Sequence, residues 1–150
     1  MLRVSQRNEP ATLDPQLATL PDEFFIIRAL SEGLVTPNPA GGPPLPAVAS
    51  HWETSADGLA WTFHLTDGAV WSNGNAVVAQ DFVNMIQRAQ APATAAPKGS
   101  LFQIVRSAAA PDTHTVVITL VRPAADFLAL VASGPWIPVH AATVEKFGRN

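Results

Sequence analysis

The stretch 59–74 places the strongest constraint on what this chain can fold into. Large apolar residues alternate there with polar ones, which puts three bulky side chains on one face of a strand: Trp61, Phe63 and Leu65. An Asp-Gly pair and an Asn-Gly pair end at Gly68 and Gly74 and supply the positive φ angles that tight turns need. The pattern predicts a hairpin of one strand with a second short strand, followed by a further turn and a helix.

Two helices are predicted from apolar residues at helical spacing. The first begins near Pro21, because proline suits the first helical position and Asp22 and Glu23 favour the positive end of the helix dipole. Gly33 is expected to end it. Its apolar stripe comprises Phe24, Ile26, Ile27 and Leu30. The second helix runs from 79 to about 91, and its apolar side comprises Phe82, Val83, Ile86 and Ala89.

Further short elements are expected at both ends of the chain. Residues 2–4 are a strand candidate, and the apolar run 101–105 should pair antiparallel with the β-branched run 115–121. A helix is expected over 123–132, beginning at a proline, and a last short helix over 141–147. Strands and helices therefore mix without the regular alternation of a parallel sheet.

Length and composition indicate a single folded domain. The chain has 150 residues, of which 47% are hydrophobic and 14% are charged, a balance typical of globular rather than disordered proteins. The net charge is −3 and only two lysines occur, so there is no cluster of positive charge for binding nucleic acid. No apolar stretch approaches the roughly 20 residues that a membrane helix needs.

Residue patterns typical of catalysis or metal binding are missing from the sequence. The four histidines have no ligand spacing such as i, i+4, and no serine lies in a Gly-x-Ser-x-Gly turn. The chain has no cysteine, which excludes thiol nucleophiles and disulfides. We therefore expect a protein that is not an enzyme and that has no catalytic residues, no metal site and no cofactor.

Short motifs along nearly the whole chain occur in an order that is similar to one family. They are Glu-Pro-Ala-Thr-Leu-Asp-Pro at 9–15, Leu-Ser-Glu-Gly-Leu at 30–34, Pro-Ala-Val-Ala-Ser-His-Trp-Glu at 46–53, the 59–74 stretch with Ala-Gln-Asp-Phe at 79–82, Ala-Pro-Ala-Thr-Ala-Ala-Pro at 91–97, Thr-Leu-Val-Arg-Pro at 119–123, and Val-Glu-Lys-Phe-Gly at 144–148. Together they resemble the extracytoplasmic solute-binding proteins of peptide ABC transporters, the oligopeptide- and dipeptide-binding family.

The resemblance implies a mixed α/β (α+β) fold, the N-terminal part of a two-lobed periplasmic-binding-protein fold with a small antiparallel-sheet domain and packed helices. It implies the substrate-binding component of an ABC importer, which captures extended peptides between two lobes for delivery to a membrane permease. The alternatives are a binding protein of this fold for a nickel complex, haem or an oligosaccharide, a sensory or interaction domain, and a hydrolase.

The resemblance also implies a periplasmic location, or an extracellular membrane-associated one, for the intact protein. The chain shows neither a secretory leader nor a cysteine for a lipid anchor. We expect that both were removed, or that the gene is a remnant without export. Because family members usually run to several hundred residues, we expect the chain to be an N-terminal fragment; a complete small protein derived from the family is the alternative.

Three segments are expected along the chain: 1–35 as the start of lobe I, 36–132 as the small domain, and 133–150 as the return toward lobe I. The first boundary lies in the stretch 37–46, which is rich in proline and glycine. Segments 1–20 and 135–150 would lack the rest of their sheet. We therefore expect them to fray, or to self-associate with another copy through unpaired lobe I segments.

Ligand-binding residues are implied by the family's peptide-contacting segments, which fall on Thr19, Leu20 and Pro21. Thr19 stands where the family usually has an acidic or polar residue. Lys98 stands where the small domain of the family has an aromatic residue, so that a flexible cation replaces a stacking surface. Arg28 matches an arginine of the family's first helix, which is either structural or lines the cleft.

A departure from the family occurs at the start of the helix 79–91. Val78 occupies the place of the usual N-cap threonine, and the loss of its hydroxyl costs about 1 kcal/mol of helix stability unless Gln80 or Asp81 compensates. The usual aspartate of the preceding turn is Asn73 here. Because both residues tolerate left-handed geometry, the turn is expected to survive.

Overall fold

The computed structural model describes residues 8–148. The expected strand at 2–4 lies outside the described residues. The elements are, in chain order, α1 (Pro21–Leu30), β1 (Val35–Thr36), β2 (Leu45–Pro46), β3 (Ala49–Thr54), β4 (Ala60–Leu65), α2 (Ala79–Gln90), β5 (Val105–Ala109), β6 (Thr115–Leu120), α3 (Phe127–Val131) and α4 (Ala141–Phe147), with short 3-10 turns at Pro92–Thr94, Gly99–Phe102 and Gly134–Trp136.

An antiparallel sheet in the order β3-β4-β6-β5 forms the centre of the fold. The predicted apolar face of β4 is confirmed, since Phe63 and Leu65 are buried and Trp61 packs against the same core. The predicted pairing of the later strands is also confirmed, because β5 runs antiparallel to β6. The strand β5 begins only at Val105, however, and residues 101–102 belong to a 3-10 turn. The mixed α/β fold with a small antiparallel sheet is confirmed.

The predicted hairpin of β4 with the strand that follows it is wrong. The neighbours of β4 are β3 and β6. Beyond Gly68 the chain makes a single bridge, between Val70 and Ala76. Gly68 and Gly74 do have the predicted positive φ, at 81° and 86°. The turns were therefore predicted correctly, but the strand that pairs with β4 was not. The edge of β4 that the short strand would have needed is occupied by β6.

The helix α2 covers one face of the sheet, packing against β5 and β6. Its predicted apolar side is buried, with Phe82 and Ile86 almost fully removed from solvent. Val78 makes no side-chain cap hydrogen bond, and Asp81 stabilises the start of α2 through different donors. One oxygen of its carboxylate accepts hydrogen bonds from the Val78 backbone N–H at 3.0 Å and from the Trp71 indole N–H at 3.0 Å.

Two predicted helices have different bounds in the structure. α1 ends at Leu30 rather than Gly33, because Ser31 turns to extended backbone with φ −145° while its N–H bonds the Ile27 carbonyl. Leu30 is exposed and does not join the apolar stripe. The helix predicted over 123–132 is only α3, since residues 125–126 form a turn before it. α4 matches its prediction.

The buried apolar residues form two clusters. The larger lies under the sheet and includes Trp136, which stacks on Phe102 with ring centroids 4.5 Å apart. The smaller consists of Ala18, Ile27 and Ile137 with Phe24 against it, so it joins α1 to the segment after α3. The boundaries 1–35, 36–132 and 133–150 stay a prediction. Across residues 8–148, the helices are too short or too polar for any of them to span a bilayer.

Candidate ligand-binding site

A pocket of about 450 Å³ lies between α1 and the segments around Lys98 and Pro135. We call it the α1 pocket; its lining residues are Pro21, Phe24, Phe25, Arg28, Lys98, Leu101, Ser133, Gly134 and Pro135. Three of the residues predicted to bind ligand thus share one pocket, although Lys98 lies far from α1 in the sequence. Thr19 and Leu20 do not line it; they are exposed immediately before α1.

The Lys98 side chain is fixed by an aromatic ring rather than by a carboxylate. Its Nζ lies 4.3 Å from the centroid of the Phe24 ring, within the range of a cation–π interaction. The ring in turn packs against Gly134, where an added Cβ would lie 2.1 Å from a Phe24 ring carbon. The absence of a side chain at this glycine therefore allows Phe24 to lie under the lysine.

The backbone of Thr19 and Leu20 is fixed by Glu23, a residue that sequence analysis placed in the first turn of α1. One oxygen of its carboxylate accepts hydrogen bonds from the backbone N–H groups of Thr19 at 2.7 Å and Leu20 at 2.9 Å. The Leu20 and Thr19 N–H groups hold the pKa of Glu23 below its ordinary value, because they stabilise the charged form. The side chains of Thr19 and Leu20 are thereby left free to face solvent.

Arg28 makes a structural contact and borders a pocket, and its role in lining a ligand cleft stays a prediction. Its guanidinium donates a hydrogen bond to the Ala132 carbonyl at 3.4 Å, which ties α1 to the end of α3. Arg28 also borders the α1 pocket and two adjoining hollows of about 400 and 190 Å³. The linings of these three hollows therefore have Arg28 in common.

An ion pair at the Leu-Asp-Pro motif was missed by the sequence analysis. The Arg88 guanidinium of α2 donates to both carboxylate oxygens of Asp14, at 3.0 and 2.5 Å, and to the Gln16 side-chain oxygen at 2.5 Å. The Gln16 amide donates to the carbonyls of Pro135 at 3.2 Å and Ile137 at 2.8 Å. We call these side chains the Asp14–Arg88 latch. It joins three distant parts of the chain beside the α1 pocket.

The latch bears on the prediction that the two ends of the chain fray. Gln16, Pro135 and Ile137 are buried, so these parts of the two ends pack within the described fold, and fraying of the ends stays a prediction. Apolar surface does remain there, since Leu13 and Phe147 are 51% and 60% exposed. Both line a second cavity, of about 560 Å³.

That second cavity contains a polar group at its wall. The Trp71 ring meets the His140 ring edge-on with centroids 5.4 Å apart, and the His140 Nε2 lies 3.1 Å from the Asn75 side-chain nitrogen. Among residues 8–148 no three His, Cys, Asp or Glu side chains come together as a metal-binding group. Three of the five predicted ligand-binding residues, Pro21, Arg28 and Lys98, line the α1 pocket.

Known proteins share the sequence pattern and the fold of this chain. Residues 43–150 match the family model described as "Bacterial extracellular solute-binding proteins, family 5 Middle". The chain is 37% identical over 157 residues to the periplasmic murein peptide-binding protein MppA of Escherichia coli, covering 93% of this chain and 29% of that protein. The chain thus spans less than a third of the length of this curated relative.

Solved structures of similar proteins superpose closely on the chain. The oligopeptide-binding protein OppAIV of Borrelia burgdorferi gives a TM-score of 0.90 at 29% identity, over 96% of this chain and 32% of that one. OppA of Haemophilus influenzae in complex with RPPGFSPFR gives a TM-score of 0.87 at 33% identity, over 93% of this chain and 30% of that one. The described fold therefore corresponds to about a third of each of these two solved structures.

Proposed function

Because this chain belongs to the family 5 bacterial extracellular solute-binding proteins, we propose that it forms one wall of a cleft that captures extended peptides for an ABC importer. The family is one of binding proteins, which confirms the expectation that the chain is not an enzyme. The α1 pocket and the exposed Thr19 and Leu20 beside it are the proposed peptide-contacting surface of this wall.

The observation that carries the proposal is the meeting of Pro21, Arg28 and Lys98 in one open pocket. These residues come from two distant segments, and ligands usually bind in concave pockets where a few polar groups converge among apolar ones. The exposed side chains of Phe25 and Leu20, at 58% and 53%, add apolar surface next to it. The names of the relatives above favour a peptide over a nickel complex, haem or an oligosaccharide.

The proposed mechanism is closure of two walls on the ligand, in which contacts to both sides stabilise the closed form. This chain covers about 29% of the length of its relative. One wall alone gains only part of the contact energy, and so peptide binding by this chain is expected to be weak, in the millimolar range. Delivery to a permease and a periplasmic location are further parts of the proposal.

The proposal is tested more sharply by where on the chain a peptide binds than by the affinity with which it binds. We would follow backbone amide shifts by NMR while a mixed library of tripeptides to pentapeptides is added to the ¹⁵N-labelled chain. The expected shifts concentrate at 19–28, 98 and 133–135. Phe25→Ala should weaken them, whereas Val121→Ala, a matched loss of an exposed apolar side chain away from the pocket, should not.

Shifts that concentrate at the cavity near His140 or on the open face of the sheet would contradict the proposal. The absence of any shift at 10 mM of library would contradict it as well. Micromolar affinity by calorimetry would instead refute the view that this wall needs a second one. Self-association through unpaired lobe I segments remains a prediction, for which sedimentation velocity should show a concentration-dependent dimer.

A further inference from the structure

We propose that the α1 pocket holds a carboxylate of the ligand, and that this chain therefore prefers peptides with an acidic side chain. The inference rests on the proposed function and adds the chemistry that the pocket selects. It depends on three features of the lining residues: their charge, the fixed position of the Lys98 ammonium group, and a polar group that lacks a partner.

The charge of the pocket is positive. Two of its lining residues are cations, Lys98 and Arg28, and none of the lining residues is Asp or Glu. The carboxylate of Glu23 on α1 accepts hydrogen bonds from the backbone N–H groups of Thr19 and Leu20, which do not line the pocket. It is therefore bound to these groups rather than to the cations of the pocket. An anion that enters the pocket meets two positive groups without competition from a carboxylate among the lining residues.

The Lys98 ammonium group is held in place without being neutralised. Phe24 supplies a ring face 4.3 Å from Nζ, which orients the amine but leaves its positive charge and its three donors available. A freely moving lysine would lose more side-chain entropy on binding an anion. The Arg28 guanidinium is oriented by the hydrogen bond that it donates to the Ala132 carbonyl. That hydrogen bond uses one of the five N–H donors of the guanidinium.

The third feature is the hydroxyl of Ser133. Ser133 lines the α1 pocket, and its Oγ is buried with no hydrogen-bond partner. A buried hydroxyl without a partner is costly, and such groups are rare in native structures. A change of the side-chain torsion of Ser133 would turn this buried hydroxyl toward the pocket, where a bound carboxylate oxygen would satisfy it.

Two tripeptides that differ in one charge test the inference. Ala-Glu-Ala and Ala-Gln-Ala, both as C-terminal amides so that neither has a terminal carboxylate, would be titrated at equal ionic strength into the ¹⁵N-labelled chain, with glutarate as a third probe. The expected result is about fivefold tighter binding of Ala-Glu-Ala, the effect of one partly exposed ion pair, with shifts at residues 98 and 133. Equal ionic strength keeps the screening the same for each probe.

The two lysines of the chain provide a matched pair of variants. Lys98→Met should abolish the preference for Ala-Glu-Ala, and Lys98→Arg should retain it. Lys146→Met, which removes a lysine of α4 outside the pocket, should leave the preference unchanged. Equal affinity of the two peptides for the unmodified chain would overturn the inference, as would a preference that survives Lys98→Met.

The outcomes separate the inference from the proposed function. If both peptides bind equally at 19–28, peptide capture stands and the carboxylate site fails. If glutarate binds in a manner that depends on Lys98 while neither peptide does, the carboxylate site stands and peptide capture fails. If no probe shifts residues 98 and 133 at 20 mM, the carboxylate site is refuted.

Discussion

Substitution of Arg88 by methionine should destabilise the chain by breaking the Asp14–Arg88 latch. Methionine preserves most of the apolar stem but removes the three hydrogen bonds that the guanidinium donates to Asp14 and Gln16. The side chains of Arg88 and Asp14 are only 18% and 16% exposed. The carboxylate that remains is therefore largely withheld from water and from a compensating charge.

The size of the effect follows from this degree of burial. Exposed ion pairs contribute about 0–1 kcal/mol, and removal of one partner of a fully buried pair costs about 3–5 kcal/mol. For a pair with this small exposure we expect a loss of about 2–3 kcal/mol from Arg88→Met, and a similar loss from Asp14→Ala. The double variant should be less destabilised than the sum, with a coupling energy of about 1.5 kcal/mol.

Urea unfolding followed by tryptophan fluorescence would measure these free energies. Arg122→Met, which removes an exposed arginine in the bend after β6, is the matched control and should change stability by less than about 0.5 kcal/mol. If the effects of the two latch substitutions simply add, or if Arg88→Met costs no more than Arg122→Met, the latch does not hold the N-terminal segment to α2.

Three further predictions concern single positions. Gly134→Ala should cost about 1–3 kcal/mol in the same unfolding assay, because its Cβ would overlap the Phe24 ring; unchanged stability would refute that packing. Because the pKa of Glu23 is lowered on folding, its contribution to stability is complete above its ordinary pKa of 4.5 and is lost as the pH falls through the lowered value. Glu23→Gln should therefore flatten the fall in stability below about pH 4.5, and an unchanged fall in stability at acid pH would argue against the effect. Asp81→Ala should lower the free energy of unfolding by about 1–2 kcal/mol, since it leaves the Val78 N–H and the Trp71 indole N–H without their acceptor. Asp81→Asn should retain part of this stabilisation, because its side-chain oxygen still accepts hydrogen bonds.

The α1 pocket could be predicted from the sequence only in part. The resemblance to a family selected Pro21, Arg28 and Lys98, and the structure brings these three together. Phe24 and Ser133 were missed as parts of the site, because nothing local in the sequence indicates that a ring will lie under a lysine 74 positions away or that a hydroxyl will lack a partner. Glu23 had a local signal, a carboxylate in the first turn after Pro21.

The sequence alone determined those features of the fold that depend only on residues close together in the chain. The α2 stripe, the inward face of β4, the turns at Gly68 and Gly74 and the bounds of α4 all follow from periodicity or from backbone conformations available to single residues. These preferences act over one or two turns of chain, and so a local pattern is sufficient to reveal them.

Only the tertiary structure decided which elements meet. The alternation in β4 defines a face but carries no information about the strand on either edge, and so the pairing with β3 and β6 was not foreseen. In the same way, Asp14 and Arg88 look like ordinary surface charges until the fold removes both from water together. Contacts of this kind gain free energy only when distant segments are already packed, which is why the fold and not the local sequence selects them.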